Sequence, residues 1–411
     1  MVEALSGTPY QPVEWQIPIE NVPEQLWDVI IIGGGPAGSS MAFHLARRKF
    51  RVLMVDMARF PREKVCGDCM ITDVEPNLRA MCLSEEVRKQ GMSLQGVTIF
   101  SPSRSHFTVS GDFVTLRRPV LDRLLAGKAV ETGVIFATGK AVEMNVGEDE
   151  AVTVRFKDID KTLQARIGVI ATGAHLGLAR KLGVVVTEKP SAVAMRCYVR
   201  SPGRTENLVL HYQKDILPGY GWIVPLGKDV YNVGCGHYLD EHHHLTMREY
   251  FKAFVAGSPL ARRVMNGAEI ISPARGGVLR CGLKGVRPLY RRSIVLVGET
   301  IGTTFTLTGE GIGQAMSAGV IAAACVGDAL STGDRGKLEL YPSLLEAKLG
   351  PRHRGFEQAQ RWVARPWLAD FMARRIHQSR YLHSACVDLV ANGRNPRRIY
   401  SIKAVLKSFW S

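Results

Sequence analysis

An apolar run, Val29-Ile30-Ile31-Ile32, leads straight into Gly33-Gly34-Gly35-Pro36-Ala37-Gly38 and then into helically spaced apolar residues. Few folds accommodate such a stretch. A buried strand that turns on glycine into a helix is the opening of a βαβ unit. Gly33 permits the tight turn, Gly35 lets a pyrophosphate approach the backbone, and Gly38 lets helix and strand pack closely, with Ala37 small between them. The helix start then offers free N–H groups and the positive end of its dipole to an anion. The pattern predicts a strand over 29–32, a helix over about 37–48 and a second strand over 52–55. Asp56 ends that second strand about 20 residues beyond the glycines, where an acid binds a ribose hydroxyl. Glycines alone are a weak signal. Strand, helix and acid in this order point to a dinucleotide.

Two more buried-type strands appear far downstream, Ile167–Ile170 and Ile294–Val297, each followed by a glycine turn, Ala171-Thr172-Gly173 and Gly298-Glu299. Between them the pattern alternates, with Val193, Met195, Cys197 and Val199 in one stretch and Trp222, Val224 and Leu226 in another. Alternation marks antiparallel strands with one buried face. A chain of 411 residues is long for one core, so two joined domains are expected. The expected architecture is α/β. Residues 26–75, 110–185 and 276–338 form a Rossmann-like nucleotide domain, and 76–109 with 186–275 form an inserted antiparallel-sheet substrate domain. Residues 1–25, with four prolines, are expected to form an arm over the surface, and 339–411 a basic helical region.

Gly309-Glu310-Gly311-Ile312 opens a helix of small residues running to about Cys325. A helix N-terminus there favours negative charge on the pyrimidine side of a reduced isoalloxazine, which points to flavin rather than nicotinamide. With the first turn, these residues resemble the glutathione-reductase-type flavoproteins of p-hydroxybenzoate-hydroxylase-like architecture. The resemblance implies FAD, with Gly298 and Glu299 near its ribityl chain, Gly309, Gly311 and Ile312 at the later helix start, and Arg118 against the cofactor. Within that group the chain is similar to the geranylgeranyl reductase family, which saturates isoprenoid double bonds. Phe60-Pro61-Arg62-Glu63-Lys64-Val65-Cys66-Gly67-Asp68 and Pro218-Gly219-Tyr220-Gly221-Trp222-Ile223-Val224-Pro225 carry this likeness. It covers about 27–330. It implies that the Cys66 thiol is catalytic beside the flavin and that Tyr220, Trp222 and Pro225 line the substrate channel. The chain departs from the pattern at Glu299 (Asp in the family), Thr306 and Val65 (Pro), Val224 (Phe) and Thr172 (Asp in related hydroxylases).

Composition narrows the partners. Eight cysteines are too sparse for a disulfide scaffold, and the N-terminus lacks a signal-peptide pattern, so reduced thiols and a cytoplasmic location are expected. No uninterrupted apolar run approaches the roughly 20 residues a spanning helix needs. The net charge is +15, and residues 351–411 hold 12 Lys or Arg against 3 Asp or Glu, a net +9. With no nucleic-acid module beside it, this basic region suits peripheral contact with the inner membrane surface. Ile402, Val405, Leu406, Phe409 and Trp410, interleaved with Lys403 and Lys407, suit a short interfacial helix; a terminal helix docked on the protein's own core suits them equally.

Cys66 and Cys69 form a C-x-x-C without a second pair, so no metal is expected, and the His242-His243-His244 run reads as a solvated loop. Three activities fit the scaffold. The leading one is an FAD-dependent reductase of a prenyl chain carried by a hydrophobic substrate, a lipid, quinone or pigment; the others are a monooxygenase or halogenase of aromatic rings, and a flavoprotein that only passes electrons or scaffolds a partner. Halogenation is disfavoured because Tyr220 stands where halogenases of the group carry their first tryptophan. No second dinucleotide fingerprint is present, so electrons are expected from NAD(P)H binding transiently or from a reductase or ferredoxin.

Overall fold

The structure is a computed structural model that describes residues 10–203, 205–239 and 245–410. The histidine run at 242–244 lies outside them. Among the described residues no group of His, Cys, Asp or Glu has the makings of a metal site.

A nine-stranded sheet runs in the order Gln16–Pro18, Ile135–Thr138, Val52–Asp56, Leu26–Ile32, Thr162–Ile170, Ile294–Leu296 and Tyr290–Arg291, with Val152–Phe156 and Ala141–Val146 as an antiparallel extension. The strands from Gln16–Pro18 to Ile294–Leu296 are parallel. Parallel strands covered on both faces read as continuous apolar runs, which is why Val29–Ile32 and Ile294–Leu296 stand out in the sequence. The helix Pro36–Arg47 follows the first turn and packs on the long helix Ile312–Thr332. A Cβ at Gly319 would lie 2.5 Å from the Ala37 carbonyl oxygen, so the two helices cross at backbone contact. Ile312–Thr332 is long and apolar enough to cross a membrane, with a mean hydropathy of 1.4, but 61% of that stretch is buried in the protein. Here it is a core helix.

The N-terminal arm corrects the sequence expectation. Gln16–Pro18 is an edge strand on Ile135–Thr138, and Ile19 and Val22 are buried. Proline hides such a strand from pattern reading, although an edge position tolerates it. Gln16 also accepts from the Phe60 N–H (2.7 Å) and donates to the Ala58 carbonyl (3.0 Å), anchoring the loop that leads to Arg62.

The second sheet has eight strands in the order Glu269–Leu279, Ala192–Arg200, Val230–Tyr238, Gly219–Gly227, Leu208–His211, Met92–Phe100, His106–Thr115 and Cys69–Met70. All its pairs are antiparallel except Leu208–His211 with Met92–Phe100. His106–Thr115 and Glu269–Leu279 run past residues 110 and 275, so each strand spans a boundary drawn from the sequence. The helices Pro366–Gln378 and Arg380–Asn392 close this sheet, with Met372, Ile376, Leu382 and Cys386 in one core with Tyr198 and Trp222.

Candidate active site

The first turn separates the duties of its glycines. Gly33 has φ +116°, and a Cβ there would lie 2.2 Å from the Ala171 carbonyl oxygen. At Gly38 a Cβ would lie 1.8 Å from the Gly33 carbonyl oxygen, so this position serves close packing. Gly35 differs. Among the described residues, its only neighbour within 4 Å of a would-be Cβ is the far end of Arg62, at 3.5 Å, which leaves backbone open to a ligand. Asp56 is buried; one carboxylate oxygen accepts the Gly34 N–H (2.9 Å) and the other the Ala58 N–H (3.0 Å).

Arg62, which sequence reasoning did not single out, bridges the acids above this turn, 3.0 Å from Asp122 and 3.4 Å from Asp56. Arg118 is buried rather than a solvated surface cation. It grips Asp122 one helical turn away through Nε (2.8 Å) and Nη2 (2.9 Å). Burial works against the Arg118 cation, but Asp122 and the neighbouring Cys66 sulfur outweigh it and raise its pKa. The Cys66 thiol is half-buried, and its pKa is raised chiefly by desolvation, against the lowering influence of Arg118. A neutral thiol therefore sits beside a fixed cation.

The loop carrying that thiol is tied to the second sheet through Asn232, also missed from sequence. Its amide nitrogen donates to the Cys66 carbonyl (2.8 Å) and to Asp68 (2.8 Å), while its oxygen accepts from Trp222 Nε1 (2.9 Å). Asp68, fully buried, also accepts from the Tyr198 hydroxyl (2.6 Å), and burial raises its pKa. The guanidinium of Arg196 lies 3.9 Å over the Tyr198 ring and pairs with Glu63 at 2.9 Å. Partners 130 or more positions apart, such as Asp68 with Tyr198 and Asn232, leave no local pattern to read.

The second turn meets the first. Gly298 has φ +68°, and a Cβ there would lie 2.6 Å from that of Ala37, so only glycine lets the two turns adjoin. Glu299, one methylene longer than the family's Asp, accepts from Lys64 Nζ (3.1 Å) and from the Arg280 N–H (3.4 Å). Gly309 has φ +66° and faces the Tyr220 hydroxyl, which donates to the Thr308 carbonyl. Gly311 packs on Thr304, and Ile312 is the first residue of the long helix. Tyr220 and Trp222 lie with ring centroids 6.0 Å apart. Pro225 is not with them; strand alternation puts it on the other face, and its carbonyl accepts from Thr115 (2.7 Å). Thr172 turns its hydroxyl to the His175 carbonyl (2.6 Å).

Open backbone at Gly35, an anchored acid at Asp56 and two adjoining glycine turns fit FAD: Gly33–Gly38 would hold its pyrophosphate, Asp56 its adenosine ribose, and Gly309–Ile312 its isoalloxazine edge. The family model described as "Lycopene cyclase protein" matches residues 28–236. A menaquinone reductase of Mycobacterium tuberculosis is 30% identical over 361 residues, 81% of this chain and 82% of that protein. A digeranylgeranylglycerophospholipid reductase of Sulfolobus acidocaldarius is 29% identical, over 76% of this chain and 71% of the other. The chain belongs to the geranylgeranyl reductase family of FAD-dependent oxidoreductases. Among solved structures, a geranylgeranyl bacteriochlorophyll reductase-like protein of Thermoplasma acidophilum shares the fold of this family member with a TM-score of 0.75 at 19% identity, covering 94% of this chain and 96% of the other. A flavin-dependent brominase does so with the same score and identity, over 94% and 98%. Those two likenesses are of fold alone.

Proposed function

We propose that this flavoprotein saturates carbon–carbon double bonds of an isoprenoid chain carried by a lipid, quinone or pigment. The observation that carries the reading is the Cys66 loop, whose half-buried neutral thiol is tied through Asn232 to the aromatic strand of Tyr220 and Trp222. Relatives named for the reduction of a digeranylgeranyl lipid and of menaquinone agree with it.

Saturating an isolated alkene requires a hydride on one carbon and a proton on the other. FAD, when bound and reduced, supplies the hydride; its electrons come from NAD(P)H or a protein donor. Cys66 supplies the proton. Its S–H bond breaks as a C–H bond forms, and the resulting thiolate lies beside the Arg118 cation until water restores the proton. Burial keeps the thiol protonated beforehand, and Arg118 stabilises the thiolate afterwards. Tyr220 and Trp222 give the chain a flat apolar wall. The substrate enters from an anionic membrane surface that the basic C-terminal region attracts.

The test is anaerobic. Reduced holoenzyme mixed with a geranylgeranyl lipid or menaquinone should reoxidise its flavin while the product gains two hydrogens per double bond by mass spectrometry. The fold shared with a brominase favours a second reading, oxygen-dependent attack on an aromatic ring. Reoxidation that requires oxygen, with an oxygen or halogen atom in the product, would replace the first reading with the second.

A further inference from the structure

Beneath the turn that opens the Ile312–Thr332 helix, the fold encloses two carboxyl groups and one guanidinium. Asp73 is satisfied on both oxygens, by Arg352 Nη1 at 2.9 Å and by Gln314 Nε2 at 3.2 Å. Glu310 accepts the Gly313 N–H on Oε1 at 2.9 Å, while its Oε2 is buried without a partner among the described residues. Arg352, from the helix Leu340–Val363, leans over the rings of Phe305 (5.0 Å) and Phe356 (5.8 Å). Its Nε and Nη2 are likewise buried without partners among the described residues. His353, 3% exposed and with no partner among the described residues on either ring nitrogen, packs on Phe305. Burial pushes its pKa down to about 3, so it brings no positive charge. From the remaining sides come the Cys69 thiol, which burial keeps protonated, and the hydroxyls of Tyr220 and Tyr238 near Gly309. One cation already engaged by Asp73 cannot also neutralise Glu310. A buried carboxylate oxygen without a donor is costly, and a proton on it removes the charge.

We propose that Glu310 is the proton store of this oxidoreductase, a neutral acid at the flavin turn that keeps or regains its proton whenever negative charge arrives there. The proposal rests on the FAD site and is independent of which substrate is reduced. Its chemistry balances: where the acid already holds its proton, arriving electrons leave that Oε2–H bond in place, and at a pH where Glu310 is ionised they draw one proton from solvent, which forms the Oε2–H bond. When the electrons leave with the hydride at that higher pH, the bond breaks and the proton returns to solvent. Burial, then Asp73, raises the Glu310 pKa, and the Gly313 N–H and Arg352 only partly oppose them.

Infrared spectroscopy of the full-length FAD-loaded protein tests this without turnover. The oxidised wild type at neutral pH should show the carbonyl stretch of a buried protonated carboxylic acid, and Glu310→Gln should lose it. Asp73→Asn, which removes the repelling carboxylate and frees Arg352, should lose the band at neutral pH and regain it on acidification. Reduction at a pH where Glu310 is ionised should take up one more proton per two electrons in the wild type than in Glu310→Gln. A band that survives Glu310→Gln, or equal proton uptake in the two proteins, overturns the proposal. Neither measurement involves an alkene, so failure here is distinct from failure of the isoprenoid reading.

Discussion

A methyl group at Gly35 would meet mostly open space, and at Gly38 a carbonyl oxygen of the same turn, 1.8 Å away. The two glycines should therefore fail differently. Gly35→Val is expected to purify without flavin absorbance and to melt like flavin-stripped wild type, because its side chain occupies the phosphate approach without disturbing the fold. Gly38→Ala should lower the melting temperature before cofactor affinity matters, since neither backbone segment can yield cheaply. Cys66→Ser should retain FAD and slow single-turnover reduction by roughly 10²-fold or more, the range removed with a general acid. An unchanged rate would make Cys66 a packing residue. Glu310 adds a pH dependence. Its folded-state pKa is raised from 4.5 to about 8, so as pH rises through that window the unfolded chain gives up its proton first. Stability should fall with pH across it. Denaturant midpoints at the two ends of the window should converge in Glu310→Gln relative to wild type.

At the scale of elements, what could be read in the sequence and what could not divide along the range of the interactions. Val29–Ile32, the glycine turn and the helix after it are visible because burial on both faces and backbone geometry each leave a local mark. Gln16–Pro18 is invisible because three residues ending in proline carry no period, and its strand identity comes from Ile135–Thr138, more than a hundred positions away. The aromatic strand Gly219–Gly227 was legible, but the residue that ties it to Cys66 was not: Asn232 lies on the next strand and reaches back 166 positions. Arg118 was expected against the cofactor, and the structure shows it buried beside Asp122 and Cys66. Asn232→Ala should leave Trp222 Nε1 and the Cys66 carbonyl without their partner, at a cost of about 1–3 kcal/mol for each buried group stranded. Flavin content should hold while the single-turnover rate falls. Asn232→Asp should be worse, because it keeps the acceptor for Trp222 but sets a second carboxylate against the buried Asp68. If both variants turn over like wild type, the Cys66 loop is positioned by something else.

Across the whole molecule, charge and exposed apolar surface coincide at the C-terminal end. Residues 351–411 carry the net +9, and Arg365, Arg374, Arg380, Arg394, Arg397, Lys403 and Lys407 are exposed there. Beside them Ile402 (74% exposed), Leu406 (53%), Phe409 (57%) and Trp410 (83%) face outward. Ala404 and Ser408, on the same terminal segment, are buried, and Arg375 holds Ser408 Oγ at 3.1 Å. The segment is thus docked on the protein by its small residues and presents its large apolar ones. Tyr400, just before it, packs in one cluster with Tyr220 and Leu217, so this face adjoins the aromatic wall of the site. Two forces follow for an anionic bilayer. Each basic residue near the surface contributes about 1 kcal/mol, screened within a Debye length. Burial of Phe409 and Trp410 adds salt-independent binding of about 2 kcal/mol for each ring. The protein should therefore sediment with anionic vesicles at low salt and be released only in part at high salt. Deleting residues 400–411 would also unseat Tyr400, so the cleaner variant replaces Ile402, Leu406, Phe409 and Trp410 with serine and leaves Ala404 and Ser408 in place. Its binding should become fully salt-reversible, and its turnover of vesicle-borne substrate should fall while turnover of a short, detergent-dispersed prenyl substrate holds. A wild-type protein that ignores anionic vesicles at low salt would mean that the substrate reaches the site by another face.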